Sequence, residues 1–426
     1  MKWRKGIKKV AGFVLAGILA VGIMGCQGSQ EEEEILTICV DSGTEGIGSM
    51  IADGWSNLNE GMKTDLVVIP ADETAAQAKI KELRTEIMSG GGPDVFLLSA
   101  DSNQRLFEDP KKTMYSDTFL PLDDYMSDAK HMKPEEWNQT VLESGRTEEG
   151  QVVLPVLYSY YAFAFQTSRL ENPGEIPSSL EEIFACEDPL IGEYVAYFPY
   201  FAMLYSFGEL ADYQEKKLIC SEEDLLKRAE EMVAYKLKCP SKWPSNTEAE
   251  GIVAYGEADG TFFSNVDRFS GEEETVFAFP NDQGGVTAHV KMYAAINRNT
   301  ELPEQAFAAL DFLLSDEVIS GEGFPYGEDK WAGRSNRFFP GLGGISVNQT
   351  LAQEACRSQT AKDALKKINS QITAVRYPSI LDQEIQQLYK DCHLSELSGN
   401  GEYTDEATRK ELVSRVYERM EMQLSE

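Results

Sequence analysis

From residue 35 onward, hydrophobic positions switch repeatedly between a strand period and a helix period. Residues 35–40 are a run of apolar and β-branched side chains, the composition of a strand. Ile47, Ile51, Trp55 and Leu58 then recur at helical spacing and predict a helix over 46–59. Residues 66–69 read as a second strand, stopped by Pro70. A helix follows over 72–89, with Ile80, Leu83, Ile87 and Met88 on one side and Gly90, Gly91 and Gly92 to end it. Residues 94–98 are almost wholly apolar, as in a strand covered on both faces. Strand, helix, strand, helix, strand predicts an α/β domain with parallel pairing and right-handed crossovers. Ligands of such sheets sit beyond the strand C-termini, here 41–43, 70–72 and 99–101.

The middle of the chain is different. Residues 158–161 and 194–205 are rich in aromatics. Helical periodicity returns over 221–238, and residues 285–297 regain strand character. Residues 303–314 form a helix opened by Pro303, and 355–372 and 380–391 read as helices. The last helix, 405–424, carries a stripe of Leu412, Val413, Val416, Met420 and Leu424, with Thr404 as its expected N-cap. No internal repeat is visible.

The N-terminus has its own pattern. Lys2, Arg4, Lys5, Lys8 and Lys9 precede residues 10–24, which carry no charge. A helix of that length rises roughly 22 Å, short of the ~30 Å hydrocarbon core of a bilayer. Residues 1–25 therefore read as a signal peptide. Ile23, Gly25 and Cys26 resemble a bacterial lipobox, in which the Cys is acylated and becomes the new N-terminus; Met24 is an unusual residue there. An uncleaved anchor or an ordinary signal peptide is the alternative. Residues 26–34 would then be an acylated Cys and an acidic tether ending in four glutamates.

Charge narrows the partners. The formal charge is −32, and loss of the five basic leader residues takes it to −37. Such a surface repels nucleic acid, so no nucleic-acid partner is expected. Cys39, Cys186, Cys220, Cys239, Cys356 and Cys392 are too sparse for a disulfide framework; mostly free, buried thiols are expected, with one or two disulfides as the alternative. The three histidines, His131, His289 and His393, have no metal-ligand spacing, and no nucleophile elbow, phosphate loop or dinucleotide loop is present. No catalytic residue, metal or cofactor is expected.

Several segments together carry a resemblance: the lipobox, "ILTICVDSG", "LVVIPADETAAQAKIKELRTEIMSGGGPDVFLL", "GQVVLPVLYSYYAFAF", "FAFPNDQGGVTAHVKMYAAINRNTELPEQAFAALDFLLSDEV" and "GGISVN". In this order they resemble the family 1 extracellular solute-binding proteins of ABC importers, the group that includes maltose- and oligosaccharide-binding proteins. The resemblance implies a two-lobed α/β fold of the type II periplasmic-binding-protein kind, with a hinge crossed more than once. By similarity, lobe 1 takes 35–156 and 286–340, and lobe 2 takes 157–285 and 341–426. It also implies a lipid-anchored protein on the extracytoplasmic face of the cell membrane. Its partners would be a small solute, expected to be a mono- or oligosaccharide, and ABC permease subunits. A receptor of the same fold reporting to a membrane sensor, or a surface glycoside hydrolase, are the competing readings.

Site residues follow from the same matching. Asp101 falls where the family has a ligand-binding Asp, and equally suits a helix N-cap. Ser42 lies in the first strand-end loop, where a simple turn is the alternative. Among Tyr158, Ser159 and Tyr160, alternate residues would face the cleft. Tyr197 and Phe262 match aromatics that stack on sugar, with core packing as the competitor. Arg376 and Tyr377 match a loop that closes over the cleft.

Overall fold

The computed structural model describes residues 34–58, 62–100, 105–197, 199–238, 251–268, 273–316, 318, 343–394 and 403–425. Cys26, Asp101, Cys239 and the tether through Glu33 lie outside the described residues.

The N-terminal rhythm folds as its periodicity predicts. It gives β1 (Ile35–Asp41), α1 (Glu45–Leu58), β2 (Lys63–Ile69), α2 (Glu73–Met88) and β3 (Val95–Ser99). β1 is central and parallel to both neighbours, with Ile38 opposite Leu66 on one side and Val95 on the other. Asp72 caps α2 by accepting from the backbone N–H of Ala75 at 2.9 Å. At its end Gly92 adopts φ +96°, a left-handed conformation open to glycine.

β4 (Leu154–Ser159) runs directly into β5 (Tyr161–Gln166). Helices α3 (Pro189–Tyr197), α4 (Pro199–Ser206) and α5 (Glu222–Lys238) follow. Then come β6 (Ile252–Glu257), α6 (Gly260–Arg268), β7 (Glu274–Ala278), the long β8 (Val286–Ile296) and α7 (Pro303–Leu313). The C-terminal part holds β9 (Ile345–Ser346), α8 (Gln349–Ala355), α9 (Gln359–Asn369), β10 (Ile372–Arg376), α10 (Ile380–Asp391) and α11 (Glu406–Ser425).

Two sheets organise these elements. The larger has the order β9-β4-β8-β3-β1-β2, with β10 beside β8. β8 is antiparallel to β3 and β4 and parallel to β10. The smaller sheet is β6-β5-β7, antiparallel throughout. Two cores form, and the smaller sheet is shared between them: Ala162, Ala164, Ala254 and Ala278 pack into the first, and Phe163, Phe165 and Phe277 into the second. The first gathers Leu36, Ile38, Phe96, Leu97, Val156, Tyr293 and Leu313; the second gathers Phe163, Phe165, Met203, Phe207, Leu388, Tyr389 and Val413. Strands β9 and β10 join the larger sheet beside β4 and β8, while α9 between them packs against α6 and β7.

Two local expectations are corrected. Residues 355–372 are not one helix. Ser358 accepts from the N–H of Ala361 at 3.1 Å and starts a new helix, and the β-branched run after Asn369 becomes β10. The cap of α11 is Asp405, which accepts from the N–H of Thr408 at 2.8 Å, rather than Thr404. Cys39, Cys220, Cys356 and Cys392 are buried free thiols, and Cys186 is half-buried. Burial pushes the thiols of Cys39, Cys220 and Cys356 up to about 12, which makes them poor nucleophiles.

Candidate functional site

The chain passes between the two sheets at neighbouring places. β4 becomes β5 across Tyr160, whose carbonyl accepts from Ala258 N–H at 2.6 Å. The carbonyl of Tyr161 accepts from Phe279 N–H at 2.7 Å, and Glu257 lies opposite Tyr161 in the ladder. The ends of β4, β6 and β7 therefore meet at one crossing, beside the upper half of β8.

A polar cluster occupies this crossing. The Tyr205 hydroxyl, from α4, donates to Glu257 Oε1 at 2.7 Å. The Lys291 ammonium, from β8, donates to Glu257 Oε2 at 2.7 Å. The Tyr205 hydroxyl also lies 3.4 Å from Ser159 Oγ. Its ring stacks on His289 with centroids 4.3 Å apart and an interplanar angle of 21°. Residues from both sheets and from α4 thus converge on one carboxylate. Glu257 is 38% exposed at its side chain and Lys291 13%.

Desolvation dominates the electrostatics here. It raises Glu257 above the ordinary carboxylate range, against the bond from Tyr205, and takes Lys291 down to about 8. Burial, with the Arg376 charge added, holds His289 well below its ordinary value near 6.5, so it is neutral at pH 7. Among the described residues, His289 Nε2 and the Tyr161 hydroxyl are buried without a hydrogen-bond partner. No group of three His, Cys, Asp or Glu among the described residues is placed to hold a metal ion.

The ends of β1 and β3 adjoin this cluster. Asp41 accepts from Gly43 N–H at 2.9 Å and Thr44 N–H at 3.1 Å, and its other oxygen accepts from Ser99 N–H at 2.8 Å. Those bonds fix a tight turn that leaves Ser42 exposed. Past β3, Ala100 N–H donates to the Lys291 carbonyl at 2.8 Å, which places the end of that strand beside Lys291.

The residues expected from sequence are distributed as follows. Ser159 belongs to the cluster, and Ser42 lies on the exposed strand-end turn. Tyr197 is the last residue of α3. Tyr158 is fully buried and donates to Asn369 Oδ1 at 2.9 Å. Tyr160 is fully buried, and Phe262 packs edge-on against Phe263. Arg376 is buried, bonded to the Leu204 carbonyl at 2.9 Å and paired with Asp382. Tyr377 is buried, edge-on to Tyr293. The sequence reading missed Tyr205, Glu257, His289 and Lys291. The legible sign was Lys291, a charge inside the otherwise apolar run of β8.

Residues 42–319 match the family described as bacterial extracellular solute-binding protein. No curated protein sequence matches the chain. Among solved structures, the chain is similar to a family 1 extracellular solute-binding protein from Alicyclobacillus acidocaldarius (TM-score 0.57, 13% identity, 92% of this chain and 98% of that one). It is also similar to a periplasmic oligogalacturonide-binding protein from Yersinia enterocolitica (TM-score 0.57, 13% identity, 92% and 99%). A cyclic α-maltosyl-1,6-maltose-binding protein from Arthrobacter globiformis gives TM-score 0.55 at 11% identity over 91% and 99%. At these identities the likeness is one of fold: mixed α/β, two-lobed and of the type II periplasmic-binding-protein kind. The chain belongs to the bacterial extracellular solute-binding protein family.

Proposed function

We propose that this is a lipid-anchored solute-binding protein that captures a carbohydrate between its lobes and delivers it to an ABC importer. The observation that carries the reading is the Glu257 carboxylate, held by Tyr205 and Lys291 where the chain crosses between two cores. Such a group, beside the strand ends at Ser42 and Ala100, can bind a solute held by both lobes at once. Its work is capture and hinge closure, with no chemical step. The sugars named for the Yersinia and Arthrobacter proteins support a carbohydrate over a peptide or polyamine.

In this proposal Ser42, Asp101, Tyr197 and Ser159 join Glu257 around the solute. Tyr158, Tyr160, Phe262, Arg376 and Tyr377 form the layer that holds them. Lobe 1 takes 35–156 and 286–340 and lobe 2 takes 157–285 and 341–426, with strands β9 and β10 of that last segment pairing into the larger sheet. Residues 1–25 are removed and Cys26 is acylated.

The test is a thermal-shift panel of mono- and oligosaccharides on the mature protein. A solute at 100 times its Kd stabilises the folded state by about 2.7 kcal/mol, a shift of several degrees. The expected outcome is a rise in Tm with at least one sugar, abolished by Glu257→Ala. A panel with no shift removes the carbohydrate claim.

A further inference from the structure

We propose that a polar seam between the lobes, formed by Asp109 with Tyr213 and by Lys112 with the Gln423 carbonyl, is a latch that sets how far the lobes separate. The inference rests on the reading of solute capture by hinge motion above. It names contacts that govern the motion without touching the solute.

Where the chain itself crosses, as at Tyr160, the backbone ties the lobes together. The seam joins segments that are not crossings. After β3, the chain packs on the first core through Leu106, Phe107 and Met114. Tyr213 and Leu424 pack on the second. Between them, Asp109 Oδ2 accepts from the Tyr213 hydroxyl at 3.0 Å, and Ser379 of the same lobe as Tyr213 lies close to that hydroxyl. The Lys112 ammonium donates to the Gln423 carbonyl at 2.9 Å. That carbonyl is in the last turn of α11, where helical partners are missing and a cation is favoured. Gln214 Nε2 donates to Glu148 Oε1 at 2.7 Å, in an exposed contact. Nearer a crossing, Arg105 donates to the Pro378 carbonyl at 2.5 Å.

The seam is hydrogen-bonded rather than closely packed. A cavity of about 460 Å³ lies along it, lined by Phe107, Asp109 and Lys112 from one lobe and by Ile380 and Gln423 from the other. A second, of about 810 Å³, lies between Arg105 and Glu108 on one side and Ile380 and Gln383 on the other. Close apolar packing would weld the lobes, because parting them would expose that area to water. Hydrogen bonds exchange for bonds to water at small net cost, so a seam of this kind can open and close.

Asp109 gives the exchange a direction. Its Oδ1 accepts from Lys112 N–H at 3.0 Å and caps the short helix Pro110–Thr113. Among the described residues its Oδ2 is bonded to Tyr213 alone, and Asp109 is only 7% exposed. With the lobes together and that hydroxyl removed, a buried carboxylate oxygen lacks a partner. With the lobes apart, water reaches it. Loss of the hydroxyl therefore favours separation.

The experiment measures, by pulsed electron resonance and without solute, the distance between two spin labels on the mature protein. They are carried on p-acetylphenylalanine at the exposed positions Glu86 in α2 and Glu418 in α11, one in each lobe. Wild type should give a distribution centred on the separation in this structure. Tyr213→Phe should enlarge the longer-distance population about tenfold or more. Lys112→Met should enlarge it by about two- to tenfold. Gln214→Ala should leave it unchanged, since water already competes for that contact. Tyr235→Phe is the control: it removes a hydroxyl that donates to the Gly192 carbonyl inside lobe 2, and it should leave the distribution unchanged. No solute enters the measurement, so failure of the carbohydrate reading leaves its result intact. Where a sugar does bind, its apparent Kd in each variant should move with the measured population. A wild-type distribution in Tyr213→Phe overturns the latch, and so does a shift in Tyr235→Phe as large as that in Tyr213→Phe.

Discussion

His289 shows how one side chain couples the crossing to pH. Its ring is covered by Tyr205 on one face, and the Arg376 charge lies close enough to oppose its protonation. The folded state therefore holds it neutral, while the unfolded chain protonates it near 6.5. The unfolded state then binds more protons below that pH, so stability is complete above about 6.5 and declines as pH falls. The slope approaches about 1.4 kcal/mol per pH unit. His289→Gln removes this contribution. Between pH 7.5 and 5, wild type should lose stability relative to the variant in matched urea melts. Parallel curves for the two proteins would show that His289 titrates normally. At this scale the sequence is a weak guide. Tyr158, Arg376 and Tyr377 carry the right chemistry for a sugar site, yet their hydroxyl or guanidinium groups face Asn369, Asp382 and Ser144 inside the protein. Polarity and aromaticity give a residue's chemistry, not the face it presents.

α2 illustrates an element written almost completely into its own sequence. Asp72 supplies the N-cap, and Ala76, Ile80 and Leu83 form the buried stripe, while Met88, expected on the same side, is 87% exposed. Gly92 ends the turn into β3 in a conformation that L-residues avoid, and a Cβ there would come within 2.9 Å of Ile87 Cγ1. Asp72 also lies beyond the C-terminus of β2, where ligands of such sheets sit. Asp72→Ala should cost about 1 kcal/mol of stability and leave solute affinity unchanged. Gly92→Ala should cost about 1–3 kcal/mol through backbone strain. Denaturant midpoints and a binding isotherm check both; a large loss of affinity in Asp72→Ala would move that residue into the site. The elements that sequence did not resolve have a common cause. β4 and β5 are buried along both faces, so no polar alternation marks them. Residues 355–372 are amphipathic enough to read as one helix, and only the Ser358 cap and the β-branched residues of β10 divide them.

At the scale of the whole molecule, periodicity predicts an α/β sheet but not two lobes. The lobes depend on where a chain leaves one sheet for the other, and that is set by long-range pairing such as Val290 with Tyr158. The resemblance supplied that information. The same holds at the N-terminus, where the proposed Cys26 anchor turns a soluble capture module into a membrane-bound one. One diacylglycerol with a further acyl chain gives stable anchoring, since a single chain binds only marginally. The acidic tether and a mature charge of −37 would hold the lobes off an anionic bilayer and keep the solute site accessible. Metabolic labelling with an alkyne fatty acid tests this directly. Wild type should carry the label and fractionate with membranes. Cys26→Ala should lose the label completely. Its cleavage should also fail or shift, leaving either a larger precursor or a form released into the medium. Membrane association without label in wild type would identify residues 10–24 as an uncleaved anchor, and solute capture would then operate from a helix in the bilayer rather than from an acylated cysteine.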